Sequence, residues 1–293
     1  MELKTSADPL PEFVRVRPRL FGIAYRILGS AAEAEDIVQD VWLRWQATDR
    51  TAVLDPPAFL ATTATRLAIN LAQSARSRRE TYVGPWLPEP VDTSADPQLG
   101  AERGEALQFA VLLLLEKLTP TERAAYVLRE AFDYPYRQIA EILQLEEANA
   151  RQLVNRARQH ITDERRAPVS SAEQRRLLEA FIAAAQNGDL AALEGLLASD
   201  VVSYSDGGGV VRAARVPVAG RERVAKFIAA FASHFWTGVT LTWIETNGQP
   251  SVLVSRDGAI VTVATVDASA DGIHQIFWMR PSKLSAIERL APA

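Results

Sequence analysis

One helix-forming segment, Ala148–Glu164, carries long hydrogen-bond donors on a single face. Apolar residues recur at helical spacing on its opposite face, and the stretch Ala148–Gln159 contains three arginines and no acidic residue. Arginine can donate two hydrogen bonds to guanine, and glutamine or asparagine pairs in the same way with adenine. The segment therefore predicts a DNA-reading helix, with base and phosphate contacts from Arg151, Gln152, Asn155, Arg156 and Arg158.

The residues before this helix predict the rest of a two-helix motif. Apolar residues of Tyr136–Leu143 recur at helical spacing, and the short connection Gln144–Glu147 separates them from the donor-rich helix. Upstream, Thr119 with Glu122 three residues later matches a capping box and predicts a further helix, Thr121–Phe132. The pattern is typical of a helix-turn-helix whose second helix lies in the major groove. An ordinary helical hairpin with a polar face is the alternative.

A second donor-rich helix is predicted at Pro56–Arg79, where proline at the first position marks the start. One face carries a polar stripe that leads into an arginine cluster at the end of the helix. Such a face suits phosphate contacts and base-edge hydrogen bonds. Cationic side chains at a helix C-terminus also interact favourably with the helix dipole, so a purely structural role is the alternative. The candidate residues are Arg66, Asn70, Arg76, Arg78 and Arg79.

The segment Glu33–Gln46 predicts an amphipathic helix with an acidic face. Its apolar residues follow helical spacing, and Asp36, Gln39 and Asp40 share the opposite side. An exposed helix face offers no desolvation that could tune a carboxyl pKa, which argues against acid–base catalysis there. We interpret the acidic face as a docking surface for a basic partner, with an ordinary solvated face as the alternative.

Composition excludes several classes of protein. The chain has 293 residues, 48% of them hydrophobic and 23% charged, which is ordinary for a globular protein. It has no cysteine and only three dispersed histidines, so disulfides, thiol catalysis and cysteine-ligated metals are excluded. No leader-like segment and no long apolar run is present. We expect a cytoplasmic protein that needs no metal or other cofactor and makes no membrane contact.

Proline and charge divide the chain into four parts. Residues 81–105 contain one basic and five acidic side chains, which accounts for the whole net charge of −4. Four prolines between Tyr82 and Pro97 predict an extended, non-helical linker. The predicted parts are a helical domain at 9–80, an acidic linker at 81–105, the helix-turn-helix domain at 106–166 and a further domain at 172–293.

The last part predicts an α+β domain with a curved sheet, because helices come first and a run of strands follows. The predicted helices are Glu173–Gln186, a second one that is capped by Asp189 and runs to Val201, and Arg221–His234. The predicted strands are Thr240–Ile244, Val252–Val254, Ala259–Val266 and Gly272–Met279.

Taken together, the helical segments resemble extracytoplasmic-function (ECF) sigma factors, which are bacterial promoter-recognition subunits. AEDIVQDVWLRW resembles the region 2 helix that binds the polymerase clamp, and AFLATTATRLAINLAQSARSRR resembles the segment that reads the −10 element. LTPTERAAYVLREAFDYPYRQIAEIL with ANARQLVNRARQHI resembles region 4, which reads the −35 element. The resemblance implies two all-α modules, and core RNA polymerase (clamp and flap) and promoter DNA as partners.

The C-terminal part resembles the cone-shaped SnoaL-like domain that one subgroup of these factors carries. WLPEP, DGGG and a Pro-x-Lys-Leu segment match that subgroup, whereas Val210 stands where a lysine usually follows the glycines. The resemblance implies a regulatory domain that contacts the linker and encloses a pocket for an unidentified small ligand. The implied interdomain residues are Trp86, Leu87, Pro88, Glu89, Pro90, Asp206, Gly207, Gly208, Gly209, Lys283 and Leu284.

Two other functions remain open at the level of sequence. One is a helix-turn-helix regulator that acts without polymerase and uses the C-terminal domain as a ligand sensor. The other is a SnoaL-type enzyme with a DNA-binding appendage, for which the pocket candidates are Asp206, His234, Trp243, Asp267, His274 and Trp278. We expect no catalytic residue, because a lone histidine in a strand is more often structural.

Overall fold

The structure, a computed structural model, describes residues 8–80, 84–93, 108–164, 166–207 and 216–279, with backbone only at 75–80 and 164. Three helices form the first module, and each boundary has a local cause. Gly29 adopts a left-handed conformation and ends the first helix, the Ser30 hydroxyl caps the second, and the Asp55 carboxylate accepts from Ala58 N at the third. The helices are α1 Leu10–Leu28, α2 Ala31–Ala47 and α3 Pro56–Glu80.

The second module contains four described helices. The predicted capping box is present, since Thr119 accepts from Glu122 N while the Glu122 carboxylate accepts from Thr119 N. The first of the four helices begins at Phe109, and the start of this domain, predicted at residue 106, lies outside the described residues. The helices are α4 Phe109–Leu115, α5 Pro120–Glu130, α6 Tyr136–Leu143 and α7 Glu147–Glu164.

The two helical modules share one continuous hydrophobic core. Leu20 and Ile23 of α1 are completely buried in the same cluster as Leu128 of α5 and Val154 of α7. Separation of the modules therefore exposes apolar surface, which is unfavourable in water.

The C-terminal domain combines four helices with a six-stranded mixed sheet. Its strand order is β2-β1-β6-β5-β4-β3, in which β1 and β6 are parallel and all other neighbours are antiparallel. The helices are α8 Ser171–Asn187, α9 Leu190–Leu196, α10 Arg221–Ala230 and α11 Ala232–Phe235. The strands are β1 Leu197–Asp206, β2 Val218–Ala219, β3 Val239–Thr246, β4 Gln249–Arg256, β5 Ala259–Ser269 and β6 Gly272–Met279.

The two faces of the sheet have different partners. Helices α8 and α10 cover one face, where Phe181, Val252 and Trp278 are buried in a common cluster. The opposite face packs against the linker and the helix-turn-helix module through a second cluster. That cluster consists of Leu87, Phe109, Leu253, Val263, Phe277 and Met279. The sheet therefore lies between its own helices and the rest of the chain.

Two element predictions in the C-terminal domain are wrong. The helix predicted to reach Val201 ends at Leu196, and β1 begins at Leu197 because it pairs with β6 in the distant C-terminal hairpin. Tertiary pairing overrides local helix propensity here. The helix predicted through His234 is interrupted at Phe231, which separates α10 from α11. Among the residues that the structure describes, no helix combines the length and apolar character needed to cross a membrane.

Replacement of Gly272 by alanine should destabilise the protein more than the same change at Gly258. Both glycines have positive φ, so Gly258→Ala should cost about 1–2 kcal/mol through backbone strain alone. At Gly272 the new Cβ would also lie 2.6 Å from the Leu196 carbonyl oxygen, whereas at Gly258 nothing lies within 4 Å. Thermal unfolding of the full chain measures both variants, and equal losses of Tm would contradict the steric argument.

Candidate functional site

The acidic face of α2 is exposed. Asp36, Gln39 and Asp40 all point to solvent, while Val38 and Val41 of the same helix are buried against α1 and α3. One turn beyond Asp40 lies Leu43, which is 61% exposed, and residues three and four apart share a helix face. Leu43 was not predicted from the sequence, although its spacing of three residues from Asp40 and four from Gln39 places it on the same helix face. The surface offers negative charge beside an exposed apolar side chain.

Arg66 is bound to the helix-turn-helix module. Its Nε donates to the Ile142 carbonyl oxygen at 2.9 Å, and its Nη2 donates to the Glu141 carbonyl oxygen at 3.1 Å. These carbonyls belong to the last turn of α6, where helix carbonyls lack intrahelical partners and attract cations. Asn70 is exposed one turn further along α3. The side chains of Arg76, Arg78 and Arg79 lie outside the described residues.

The predicted donors of the helix-turn-helix share an exposed face of α7. These are Arg151, Gln152, Asn155, Arg156 and Arg158. All three arginines form ion pairs. Arg151 pairs with Glu147 of the same helix at 2.9 Å. The other two pair with acids of α5, Arg156 with Glu122 at 3.3 Å and Arg158 with Glu130 at 2.7 Å. The hydrogen bond to Glu130 raises the pKa of the Arg158 guanidinium above its usual value. Exposed pairs of this kind contribute about 0–1 kcal/mol, so DNA phosphates can compete for these arginines.

The described part of the linker, residues 84–93, is extended and non-helical, as predicted. Trp86 lies over Gly29, where a Cβ would come within 2.7 Å of the indole ring, so only glycine leaves room for it. Leu87 is completely buried, and its backbone N–H donates to Asp206 Oδ2 at 2.7 Å. The linker therefore contacts the first helical module on one side and the end of β1 on the other.

Glu89 of the linker caps the helix that carries the acidic face. Its carboxylate accepts hydrogen bonds from Ala31 N at 2.7 Å, from Ala32 N at 3.2 Å and from the Ser30 hydroxyl at 3.1 Å. Its own N–H donates to the Gly29 carbonyl oxygen at 2.8 Å. A carboxylate at this position satisfies free N–H groups and interacts favourably with the helix dipole.

A buried junction joins three parts of the chain through Tyr25, Glu89, Val91 and Asn247. The Tyr25 hydroxyl donates to the Glu89 carbonyl oxygen at 2.5 Å and accepts from Asn247 Nδ2 at 2.7 Å. Asn247 and Val91 exchange two further hydrogen bonds, at 2.9 and 3.0 Å. Burial raises the pKa of Tyr25 above its usual value, which keeps the hydroxyl protonated. We call this set the three-part junction.

Tyr25 and Asn247 were not predicted from the sequence as interdomain residues. The Asn247–Gly248 dipeptide is a recognised turn signal, but a turn signal does not reveal which segment the turn contacts. Of the predicted interdomain residues, Pro88 and Pro90 are buried and Gly207 follows β1. Those that lie outside the described residues are Gly208, Gly209, Lys283 and Leu284.

The pocket candidates in the C-terminal domain do not form one site. Trp243 and Trp278 belong to the same apolar cluster, but Asp206 and His274 lie far apart. Asp206 pairs in register with Met279, five residues along β6 from His274, which corresponds to about 16 Å. Asp206 is bound to the linker, and Trp278 packs against Phe181 and the aromatic residues of α11. Within the described part of the chain, no group of three or more histidine and acidic residues could hold a metal ion.

Comparisons with known proteins identify the helical modules. The family models for Sigma-70 region 2 and Sigma-70 region 4 match residues 13–79 and 108–161. The chain is 39% identical over 237 residues to the "ECF RNA polymerase sigma factor SigJ" of Mycobacterium tuberculosis, which covers 78% of this chain and 74% of that protein. It is 32% identical over 287 residues to the "Probable ECF RNA polymerase sigma factor SigI" of the same species, with 96% of each chain covered. The crystal structure of SigJ is similar with a TM-score of 0.75 at 31% identity, covering 94% of this chain and 98% of that one.

The modules and their order define a sigma-70-type promoter-recognition subunit. The chain belongs to the extracytoplasmic-function sigma factors, and its helical region 2 and region 4 modules are followed by a SnoaL-like mixed-sheet domain. The predicted family, fold class and sigma factor function are confirmed. The relatives are sigma factors, so they lend no support to a regulator that works without polymerase or to an enzyme with a DNA-binding appendage.

Removal of the Tyr25 hydroxyl should weaken the three-part junction. In Tyr25→Phe the buried Asn247 amide loses its acceptor, and an unsatisfied buried donor costs about 1–3 kcal/mol. Denaturant unfolding of the full chain measures the loss. Thr237→Ala removes an exposed hydroxyl from the C-terminal domain, which also carries Asn247, and serves as the control. A Tyr25→Phe protein as stable as the control would show that the junction contributes little.

Proposed function

We propose that three surfaces divide the work of this sigma factor. The α2 face with Asp36, Gln39 and Asp40 binds the basic clamp of core RNA polymerase. The polar face of α3, from Arg66 onwards, contacts the −10 element, and the donor face of α7 reads the −35 element while its module contacts the flap. The exposure of the α2 and α7 faces and the chemistry of their side chains support these roles. The protein acts in the cytoplasm, where core polymerase is found, and it is not an enzyme.

We further propose that the observed conformation precedes promoter binding. The supporting observation is that Arg66 of the −10 module bonds directly to α6 of the −35 module. The two promoter elements are about 25 base pairs apart, or roughly 85 Å at 3.4 Å per base pair. A compact chain of this length has a radius of gyration of about 19 Å and is roughly 50 Å across. Simultaneous binding of both elements therefore requires the modules to separate.

Arginine side chains hold the two modules together in this closed conformation. Arg19 Nη2 of α1 donates to the Phe132 carbonyl oxygen at 3.1 Å. In the opposite direction, Arg123 Nη1 of α5 donates to the Ile27 carbonyl oxygen at 2.8 Å and pairs with Glu116 at 2.6 Å. These contacts and the shared core oppose separation, so the binding energy of polymerase and DNA must offset them.

The C-terminal domain regulates this separation in our proposal. Its Asn247 binds both region 2, through Tyr25, and the linker, through Val91. The same sheet packs against Phe109 of region 4, so the domain braces the closed form through both modules. Partner contacts that release the three-part junction would favour the open form. A small ligand in the C-terminal domain remains a proposed source of such a signal.

Separation of the modules can be measured directly, because the chain contains no cysteine and accepts a specific label pair. Spin labels on Gln73→Cys in α3 and Gln159→Cys in α7 occupy exposed positions. We expect the distance between the labels to lengthen toward about 85 Å when core polymerase and promoter DNA are added together. A transcriptionally competent complex with an unchanged distance would contradict the closed-form proposal.

Charge reversal on α2 should abolish polymerase binding. Asp36→Arg with Asp40→Arg places two positive charges against a basic partner, and such juxtaposition costs several kcal/mol. The matched control reverses Glu179 and Glu222, two exposed acids of the C-terminal domain. We expect a loss of core polymerase binding of at least about 100-fold for the α2 variant. Equal affinities of the two double variants at moderate salt would refute the docking role.

A further inference from the structure

A cluster of Arg166, Asp200, Ser269 and His274 lies where α7 leads into the C-terminal domain. Arg166 follows the end of α7 by two residues, and its guanidinium forms an ion pair with Asp200 on β1. Its Nη1 also lies 3.3 Å from His274 Nε2. His274 Nδ1 lies 3.2 Å from Asp200 Oδ1, and its Nε2 lies 2.6 Å from the Ser269 hydroxyl. We call these four residues the Arg166 cluster.

The hydrogen bonds of the cluster fit a His274 ring that carries its proton on Nδ1. Arginine can only donate, so His274 Nε2 must accept and the ring proton must reside on Nδ1. Nδ1–H then donates to the carboxylate of Asp200, which can only accept. Partial desolvation opposes ionisation of Asp200, but the His274 hydrogen bond and the Arg166 charge hold its pKa below the usual value. The polar side chains of three separate segments thus serve as hydrogen-bond partners for one another.

The backbone after Arg166 is bound to the same edge of the domain. Val169 N donates to the Ala268 carbonyl oxygen at 3.2 Å, beside the turn between β5 and β6. The Ser170 hydroxyl then caps α8 by accepting from Glu173 N. The end of α7 is therefore attached to the sheet by a side chain and by the main chain within five residues.

We propose that Arg166 is a positioning residue that sets the orientation of the −35-reading helix on the C-terminal domain. This inference rests on the proposed roles of α3 and α7. Release of the three-part junction leaves the linker bound to the same sheet through the Leu87 N–H and Asp206, so region 2 stays tethered to the body that carries α7. That body limits the promoter spacings that the protein accepts. One base pair more or less displaces the −35 element by about 3.4 Å and rotates it by roughly 34°.

Ser269, His274 and Asp200 also have the order of a hydrolytic triad, in which a base joins a nucleophile to a carboxylate. Three observations favour the positioning role. His274 Nε2 already accepts from Arg166, Ser269 Oγ accepts from Asp271 N at 3.2 Å, and Ser269 is 8% exposed. The hydroxyl is thus engaged on both sides and has little access for a substrate.

The test measures transcription by full-length protein with core polymerase on promoters whose spacer is varied by one base pair at a time. We expect Arg166→Ala and Asp200→Asn to reduce the discrimination between the best spacer and its neighbours by about fivefold, the scale of one lost hydrogen bond. Transcription from the best spacer should change far less. The control is Arg176→Ala, which removes an arginine from an exposed ion pair on α8.

The outcomes separate this inference from the proposed function. If the wild-type protein ignores the −35 sequence, the proposed role of α7 fails. If the wild type depends on that sequence but Arg166→Ala retains the wild-type spacer preference, only the positioning role fails. Thermal unfolding identifies a variant that merely loses its fold. If Arg166→Ala is such a variant, the spacer preference of the conservative Asp200→Asn variant tests the positioning role. Labelling of the wild type, but not of Ser269→Ala, by a fluorophosphonate would overturn the inference in favour of a hydrolytic site.

Discussion

The hydrogen bond between the Tyr25 hydroxyl and Asn247 is the contact on which the arrangement of the domains depends. Both residues are completely buried, so neither polar group can exchange its partner for water. Tyr25 belongs to region 2, Asn247 to the C-terminal sheet, and the same hydroxyl donates to the linker at Glu89. Loss of any one of the three leaves a buried polar group unsatisfied, which makes the arrangement cooperative. Because Glu89 also caps α2, the linker and the helix with the acidic face are held by neighbouring atoms.

The contacts between regions 2 and 4 use groups that DNA can replace. Between the regions, Arg66 is bound to helix carbonyls. Within region 4, Arg151 is bound to the exposed Glu147 and Arg158 to the partly buried Glu130. Phosphate oxygens match the charge of the carboxylates, and neutral base acceptors match the helix carbonyls, so DNA offers arginine equivalent hydrogen-bond partners. Opening therefore exchanges one set of arginine contacts for another, and the exposure of the shared apolar core remains as the main opposing free energy. In our proposal, this balance keeps the protein closed until it binds its partners.

Local signals in the sequence predicted most of the helices and two of their caps, at Thr119 and Asp189. The Thr119 capping box, the Tyr136–Leu143 helix and the extended linker were all deduced from spacing and composition. Strand β1 was missed because its stability comes from pairing with β6, which lies more than sixty residues away along the chain. The partners of the α7 arginines were missed for the same reason, since Glu122 and Glu130 approach α7 only after α5 packs against it.

Amphipathic period, caps and donor-rich faces are local properties that survive without tertiary context, so the sequence by itself determined the helices and their polar faces. The class of the protein was predicted from the resemblance of its motifs, in their order, to sigma factor regions 2 and 4. The sequence also indicated the acidic face of α2, the donor face of α7 and the role of WLPEP as an interdomain segment. Only the tertiary structure decided that Arg66 contacts α6, that Tyr25 meets Asn247, and that Arg166 lies beside His274 and Asp200. These pairs are separated by 34 to 222 residues along the chain. Contacts at such separations follow from how completed elements pack, and residue type and spacing do not encode which elements will meet.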